Sequence, residues 1–230
     1  MNTNFRRTKI LATLGPATDQ PGVLEQLLEA GVNVVRLNFS HGTPEQHAAR
    51  VAKVREISAS IGREVGVLAD LQGPKIRIEK FAADKVLLAN GQEFRLICRA
   101  DAPMGDETQV AVSYLGLVSD VTVGDTLLLD DGLISLQVTA LDGDAIVTTV
   151  LAGGALSNRK GLNRLGGGLS LDALSEQDKE HIAIAAGLDV DFLAVSFCRS
   201  AADIELARSI ATSHGSFAHI VAKIERAEAI

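Results

Sequence analysis

Four stretches of this chain run apolar and then stop abruptly on residues able to bind anions or move charge. The first is Asn33 to Gly42, N-V-V-R-L-N-F-S-H-G, where Val34, Val35 and Leu37 have the content of a buried strand. Arg36, Asn38, Ser40 and His41 project from its end and from the turn beyond it. Arginine's planar fork suits phosphate or carboxylate. Glu64 to Arg77, E-V-G-V-L-A-D-L-Q-G-P-K-I-R, ends on Asp70 and is followed by a Gly-Pro break and two cations. Asp191 to Arg199 ends on Ser196 and Phe197, and His219 to Glu228 ends on Lys223 and Glu225. One such strand would read equally well as a strand with a solvated tip. Four of them imply a shared face, which is where parallel α/β barrels keep their active sites.

The elements between these strands fit that reading. Thr8 to Leu14 reads as a first strand closed by Gly15-Pro16. Asp19 is placed to cap a helix through Glu29 with Val23, Leu24, Leu27 and Leu28 as its apolar stripe and Gly31 as its stop. Pro44 opens a second helix that buries Val51, Val54, Ile57 and Ile61 and ends at Gly62, giving β-α-β-α-β up to Asp70. The alternation resumes late, with Ser175 and Asp178 as a capping box for a helix to Gly187 and Ser200 with Asp203 repeating it before a helix ending near His214-Gly215. Five barrel strands are expected, at residues 8–14, 32–38, 65–70, 191–197 and 219–223, fewer than a closed (β/α)8 barrel carries.

Between Pro74 and about Leu171 the period changes. V-L-L, E-F-R-L-I-C, Q-V-A-V-S-Y, D-T-L-L-L-D and D-A-I-V-T-T-V are short strand-like runs, punctuated by Asn90-Gly91, Gly124-Asp125, Asp131-Gly132 and Asp142-Gly143. They predict a small antiparallel β domain set into the barrel, so the expected division is 1–73 barrel, 74–171 insert and 172–230 barrel resumed. The closing stretch S-N-R-K-G-L-N-R-L-G-G-G-L-S is read as a linker, with a hinge and a phosphate-facing edge as the alternative.

Composition sets the class. A 230-residue chain with 47% hydrophobic and 22% charged residues is an ordinary globular protein with a sizeable core. The net charge of −7 gives no support to a nucleic-acid footprint, so any anion site is a local cluster. Cys98 and Cys198 lack metal-type spacing and read as reduced structural thiols. His47, His181, His214 and His219 belong to no motif and read as structural or surface residues. The first residues lack the apolar stretch of a signal peptide and no run reaches transmembrane length, so a cytoplasmic protein without membrane contact is expected.

The segments R-T-K-I-L-A-T-L-G-P-A-T, V-V-R-L-N-F-S-H-G, D-L-Q-G-P-K-I-R, K-G-L-N, L-A-V-S-F and I-V-A-K-I-E-R-A-E, in this order from residue 6 onward, resemble the bacterial pyruvate kinase family. The resemblance implies a TIM-type barrel with an inserted small antiparallel β-barrel lid. It also implies phosphoryl transfer between phosphoenolpyruvate and ADP, giving pyruvate and ATP, in a homotetramer that uses Mg²⁺. Such chemistry calls for convergent cations more than for a nucleophile. By the same resemblance Lys223 is the catalytic lysine beside the transferring phosphoryl, Glu225 holds Mg²⁺, and Arg36, Ser196 and Phe197 contact the substrate. Arg77 and Lys160 reach nucleotide phosphates, while Thr13, Pro16, Asn38 and His41 line the nucleotide site. Potassium-dependent members hold K⁺ on Asn38, Ser40, Asp70 and the Leu71 carbonyl and carry a glutamate where this chain has Lys75. Leu71, Gln72 and Ile78 resemble the potassium-independent branch, so K⁺ is expected to be dispensable.

Two other readings share these residues. Lys223 and Glu225 alone would serve a Mg²⁺-dependent lyase or aldolase acting on a pyruvate enolate, and a shortened product would serve as a binding fragment. The insert and the Arg77–Lys160 pair favour the kinase, because an aldolase has no nucleotide to hold. The resemblance places a second Mg²⁺-binding carboxylate, a further substrate contact and a regulatory domain beyond Ile230. Residues 1–230 alone are therefore expected to be inactive, with an unpaired strand edge.

Overall fold

A computed structural model describes residues 7–230. The elements, in chain order, begin with β1 (Leu11–Thr13), α1 (Val23–Glu29), β2 (Val34–Asn38), α2 (Pro44–Ile61) and β3 (Gly66–Asp70). An all-β stretch follows, with β4 (Lys85–Leu88), β5 (Glu93–Ile97), β6 (Gln109–Ala111), a short α3 (Leu117–Asp120), β7 (Thr126–Leu129), β8 (Ile134–Asp142), β9 (Ala145–Ala152), β10 (Gly154–Ser157) and β11 (Leu162–Arg164). The chain then returns to alternation with α4 (Glu176–Gly187), β12 (Phe192–Val195), α5 (Ala201–Ser213) and β13 (His219–Ala222). It divides into two compact units, one running up to Pro74 and resuming over Asp172–Ile230, the other Lys75–Leu171.

In the first unit β1-β2-β3-β12-β13 form one parallel sheet whose spatial order follows the chain, an arc of a TIM-type barrel. All five strands expected from the sequence are there, each shorter than read because the apolar runs extend past the paired backbone. The register is what gathers the site. Asn38 lies opposite Asp70, and Asp70 lies opposite Ala194, so the carboxyl ends of adjacent strands finish level. Val35, Leu37, Val67, Ala69, Leu193 and Val195 are buried between helices and sheet, alongside Leu28, Val54 and Ile182 from the helices. These side chains are every second residue of their strands, which leaves Arg36, Asn38 and Asp70 on the other face of the sheet.

The starts of α2 and α4 follow local rules, and that of α1 does not. Thr43 accepts the Gln46 N–H while the Gln46 side chain accepts the Thr43 N–H, with Pro44 in the first turn. Ser175 and Asp178 form the same reciprocal pair at α4. Asp19, however, caps nothing. α1 starts at Gly22 without a side-chain cap, and Asp19 instead binds Arg50 of α2 through two hydrogen bonds of 2.9 and 2.6 Å. A two-pronged guanidinium outcompetes a single backbone N–H for that carboxylate.

The second unit is built from a six-stranded sheet, β11-β7-β8-β9-β5-β6, and a two-stranded ladder of β4 with β10. Its core holds Phe81, Phe94, Leu96, Leu117, Leu127, Leu129, Ile134, Leu136 and Ile146. The β5–β6 pairing is parallel, so the expected all-antiparallel domain needs correction there: the chain between Ile97 and Gln109 loops back far enough to re-enter in the same direction. Three strands stand outside the five runs read from the sequence, β8, β10 and β11. The stretch 157–170 is not simply a linker either. Gly161 bridges to Arg77, Leu162–Arg164 pairs with β7, and the Arg164 guanidinium is held by Asp125 at 2.9 Å.

Candidate functional site

Residues from Thr13 to Glu225 meet in one cluster at the carboxyl ends of the parallel strands, and Asp70 is its centre. Asp70 closes β3 and is 3% exposed. One of its oxygens takes two contacts from Arg36, from Nε at 2.7 Å and from Nη2 at 2.6 Å. The other lies 3.1 Å from Nζ of Lys223. A buried carboxylate is costly unless paired, and here two cations from strands on either side of β3 pair it. The guanidinium also donates to Thr13 Oγ1 at 3.1 Å, which ties β1 into the same cluster.

Ser196 completes the cradle. Its hydroxyl donates to the Leu71 carbonyl at 2.7 Å and accepts from Lys223 Nζ at 2.7 Å. The ammonium is thereby fixed by Asp70 and Ser196 while its side chain stays 30% exposed, held in place yet open on one side. Glu225 sits two residues further on, with one carboxylate oxygen 3.4 Å from Lys223 Nζ and the other accepting the Phe197 N–H at 3.1 Å. Phe197 carries a φ of +57°, a left-handed conformation uncommon for a bulky side chain. That twist aims its N–H at Glu225.

A second layer holds the turn behind this cluster. Asp178, fully buried, uses one oxygen for its capping box and the other to accept the Gly73 N–H at 3.1 Å. Aspartate at this cap position therefore reaches the turn after β3 as well as its own helix. Gly73 has a φ of +67°, and a Cβ there would stand 2.8 Å from the Phe197 ring and 3.0 Å from Ser196 Cβ. Glycine is required both by the backbone and by the space.

The other residues singled out from the sequence fall in three places. Asn38, Ser40 and His41 form the turn after β2, where Asn38 Oδ1 accepts the Ser40 N–H at 3.1 Å and the His41 N–H reaches the Asn38 carbonyl. Pro16 lies in the turn after β1, stabilised by Thr18 accepting the Gly15 N–H. Arg77 and Lys160 belong to the second unit and are neighbours there: the Ile78 N–H donates to the Lys160 carbonyl, and Arg77 Nη1 donates to the Arg159 carbonyl. Lys160 Nζ is paired with Asp130 at 2.8 Å. Lys75 lies alongside Gly161, where an added Cβ would stand 3.2 Å from Lys75 Cε.

Sequence reading missed two residues. Asp178 was recognised only as a cap. His47 belonged to no motif, yet it is 3% exposed, stacks on Phe39 with ring centroids 4.5 Å apart, and lies 3.0 Å from the His41 carbonyl through Nε2. The two cysteines are buried, and burial pushes the Cys98 thiol up to about 11, which leaves it unreactive at neutral pH. Among the described residues, no helix is long and apolar enough to cross a membrane.

Comparison with known proteins agrees with the geometry. The family model for the pyruvate kinase barrel domain matches residues 5–230. Pyruvate kinase II of Salmonella typhimurium is 53% identical over 230 residues, covering 100% of this chain and 48% of that protein. Pyruvate kinase of Haemophilus influenzae is 52% identical over 232 residues with the same coverage, and that of Mycobacterium intracellulare 44% identical over 225 residues, covering 98% of this chain and 47% of its own length. This chain thus spans about half the length of the curated relatives it matches. With a matching family model over nearly every residue and a parallel-sheet site assembled at the expected strand ends, the chain belongs to the pyruvate kinase family.

Proposed function

We propose that the protein transfers a phosphoryl group between phosphoenolpyruvate and ADP, giving pyruvate and ATP. The observation that carries this reading is the buried Asp70 at the end of β3 holding both Arg36 of β2 and Lys223, which follows β13, at the carboxyl ends of one parallel sheet. Both substrates are polyanions, so bringing them together without pre-placed positive charge is strongly opposed. In the transfer the bond from phosphorus to the enol oxygen breaks, a bond to a terminal oxygen of ADP forms, and the enolate takes up a proton to become pyruvate. Lys223 stands beside the transferring group and stabilises its equatorial charge, and Arg36 orients the phosphoenolpyruvate phosphate. Ser196 and Phe197 form the wall of the substrate pocket. Thr13, Pro16, Asn38 and His41 line the nucleotide site, and Arg77 with Lys160 take nucleotide phosphates.

Glu225 offers a hard, half-exposed carboxylate next to this cluster, which suits Mg²⁺, an ion that draws most of its remaining ligands from water and substrate. When bound, that ion supplies additional positive charge against the substrate oxygens. Glu225 also orients the Phe197 backbone, so the same carboxylate serves the pocket wall. The potassium donors of related enzymes are already engaged here: Asp70 by two cations, the Leu71 carbonyl by Ser196, and Asn38 Oδ1 by the Ser40 N–H. That supports a reaction needing Mg²⁺ and not K⁺, with Lys75 in place of the glutamate as a second support.

Residues 74–171 are proposed as a mobile β lid around a small barrel, supported by their separate hydrophobic core and by the family likeness. A cytoplasmic homotetramer is proposed on that likeness alone. The test is an assay of the protein expressed from its complete reading frame. Phosphoenolpyruvate, ADP and Mg²⁺ should yield pyruvate and ATP in equal amounts, and no turnover would remove the proposal.

A further inference from the structure

We infer that His47 is a positioning residue for the nucleotide side of this site, holding the turn Asn38–Gly42 in place by a hydrogen bond from its Nε2–H to the His41 carbonyl. The inference rests on the reading of Asn38 and His41 as nucleotide-site residues. The turn itself is thin. Beyond the β2 ladder that ends at Asn38, the hydrogen bonds of the turn among the described residues are two short-range ones within Asn38–His41 and the Phe39 N–H donating to the Asp70 carbonyl. His47 supplies the missing restraint from the other side.

The local sequence dictates how it does so. Thr43 caps α2, which makes His47 the fourth residue of the helix and Gly42 the residue before the cap, the two positions that meet across a helix start. Helical side chains lean toward the N-terminus, so the imidazole lies back over the turn. A Cβ on Gly42 would be 3.4 Å from the ring, showing how closely the backbone passes. Phe39 stacks on the ring at 4.5 Å with planes 13° apart, and His181 of α4 meets Phe39 edge-on at 5.1 Å. The His41 carbonyl can only accept, so the proton sits on Nε2 at 3.0 Å, and Nδ1 is left buried and without a hydrogen-bond partner.

That orphaned nitrogen separates a positioning role from plain packing. A leucine or phenylalanine would fill the space with no unsatisfied atom, so the imidazole is explained by its donor and not by its volume. The charged and titratable groups around it are Arg50 on its own helix, bonded to Asp19, His181 on α4, and His41 on the turn. None is an anion facing the ring, so the site keeps His47 neutral, the form in which Nε2 donates and Nδ1 stays bare.

Two substitutions split the possibilities in the protein expressed from its complete reading frame. His47→Gln can place an amide N–H where Nε2 was but cannot stack; His47→Phe stacks but donates nothing. The expected result is that H47F raises the KM for ADP about two- to tenfold with much less change in kcat, as loss of one hydrogen bond implies. H47Q should remain close to the unmodified protein. Amide exchange of residues 39–43 should rise in H47F and stay protected in H47Q. Should H47F prove insoluble, His47→Asn, whose amide is too short to reach the carbonyl, replaces it with the same expectations. The inference is overturned if H47F matches the unmodified enzyme, or if both variants lose stability and activity alike, which is the mark of packing only. Absence of kinase activity in the unmodified protein would sink the functional reading instead, and the exchange comparison would still decide the role of His47.

Discussion

The two units handle charge in opposite ways. In the parallel unit, Asp70 draws Arg36, Lys223 and Ser196 together from positions up to 153 residues away from it in the chain. In the β unit, charged side chains pair off separately instead of converging on one point, as with Arg159 and Glu79, Lys160 and Asp130, or Arg164 and Asp125. Geometry explains the contrast. Parallel strands all end on the same side, so their tips converge whatever their separation along the chain, whereas adjacent antiparallel strands end on opposite sides and turn back within a few residues. Concentrated charge is thus a by-product of topology in one unit, and in the other a residue such as Lys160 needs a specific partner, Asp130, to keep it in place.

Breaking the convergent cluster should have the largest effects. Lys223→Met removes the positive charge proposed beside the transferring group, and kcat should fall by about a thousandfold with KM little changed, measured by pyruvate release. Asp70→Asn keeps the shape and removes the charge that gathers both cations. It should lower unfolding free energy by about 3 kcal/mol in denaturant titration and weaken phosphoenolpyruvate binding at the same time, because breaking a buried pair strands its partners. If stability fell without any change in substrate binding, Asp70 would be structural and the convergence argument would fail.

Changes in the β unit should separate function from fold. Lys160→Ala should depress kcat/KM for ADP on the order of tenfold, while its half-exposed pair with Asp130 costs less than about 1 kcal/mol of stability. Lys75→Glu should leave the fold intact and make activity depend on K⁺ by an amount on the order of tenfold, read in potassium-free buffer with a tetramethylammonium counter-ion. Strong activation of the unmodified protein by K⁺ would contradict this.

Much of the parallel unit was legible because its strands are apolar runs with polar tips and its helices carry readable starts at Pro44, Ser175 and Ser200. Side-chain competition was not legible. Asp19 looked like a cap, but Arg50, 31 positions away, takes its carboxylate. Strand β8 has a plain alternation, I-S-L-Q-V-T, and was readable in principle, while β10 and β11 are four and three residues long and owe their existence to partners. The parallel β5–β6 pairing depends on a loop path that no local pattern encodes. His47 was hidden because a lone histidine carries no periodic signal, although its place opposite Gly42 across the Thr43 cap was a usable one.

The smallest expected effect is a pH dependence at that residue. Burial, outweighing the bond to His41, pulls the His47 pKa below its ordinary 6.5, with Arg50 and His181 adding to the shift. The unfolded chain therefore binds more protons than the folded one just below pH 6.5, so stability falls as the pH drops through that value and recovers above it. The melting temperature should decline by a few degrees toward acid pH, and H47Q should flatten part of that decline.

The central claim is that the strand tips of the parallel unit, with Lys223 at their focus, serve phosphoryl transfer to a nucleotide and not enolate chemistry alone. Pyruvate formation from phosphoenolpyruvate with Mg²⁺, measured in the protein from its complete reading frame with and without ADP, tests it most directly. The account predicts pyruvate only when ADP is present, matched by ATP and abolished in K223M. Pyruvate released without ADP, or turnover unchanged in K223M, would contradict it.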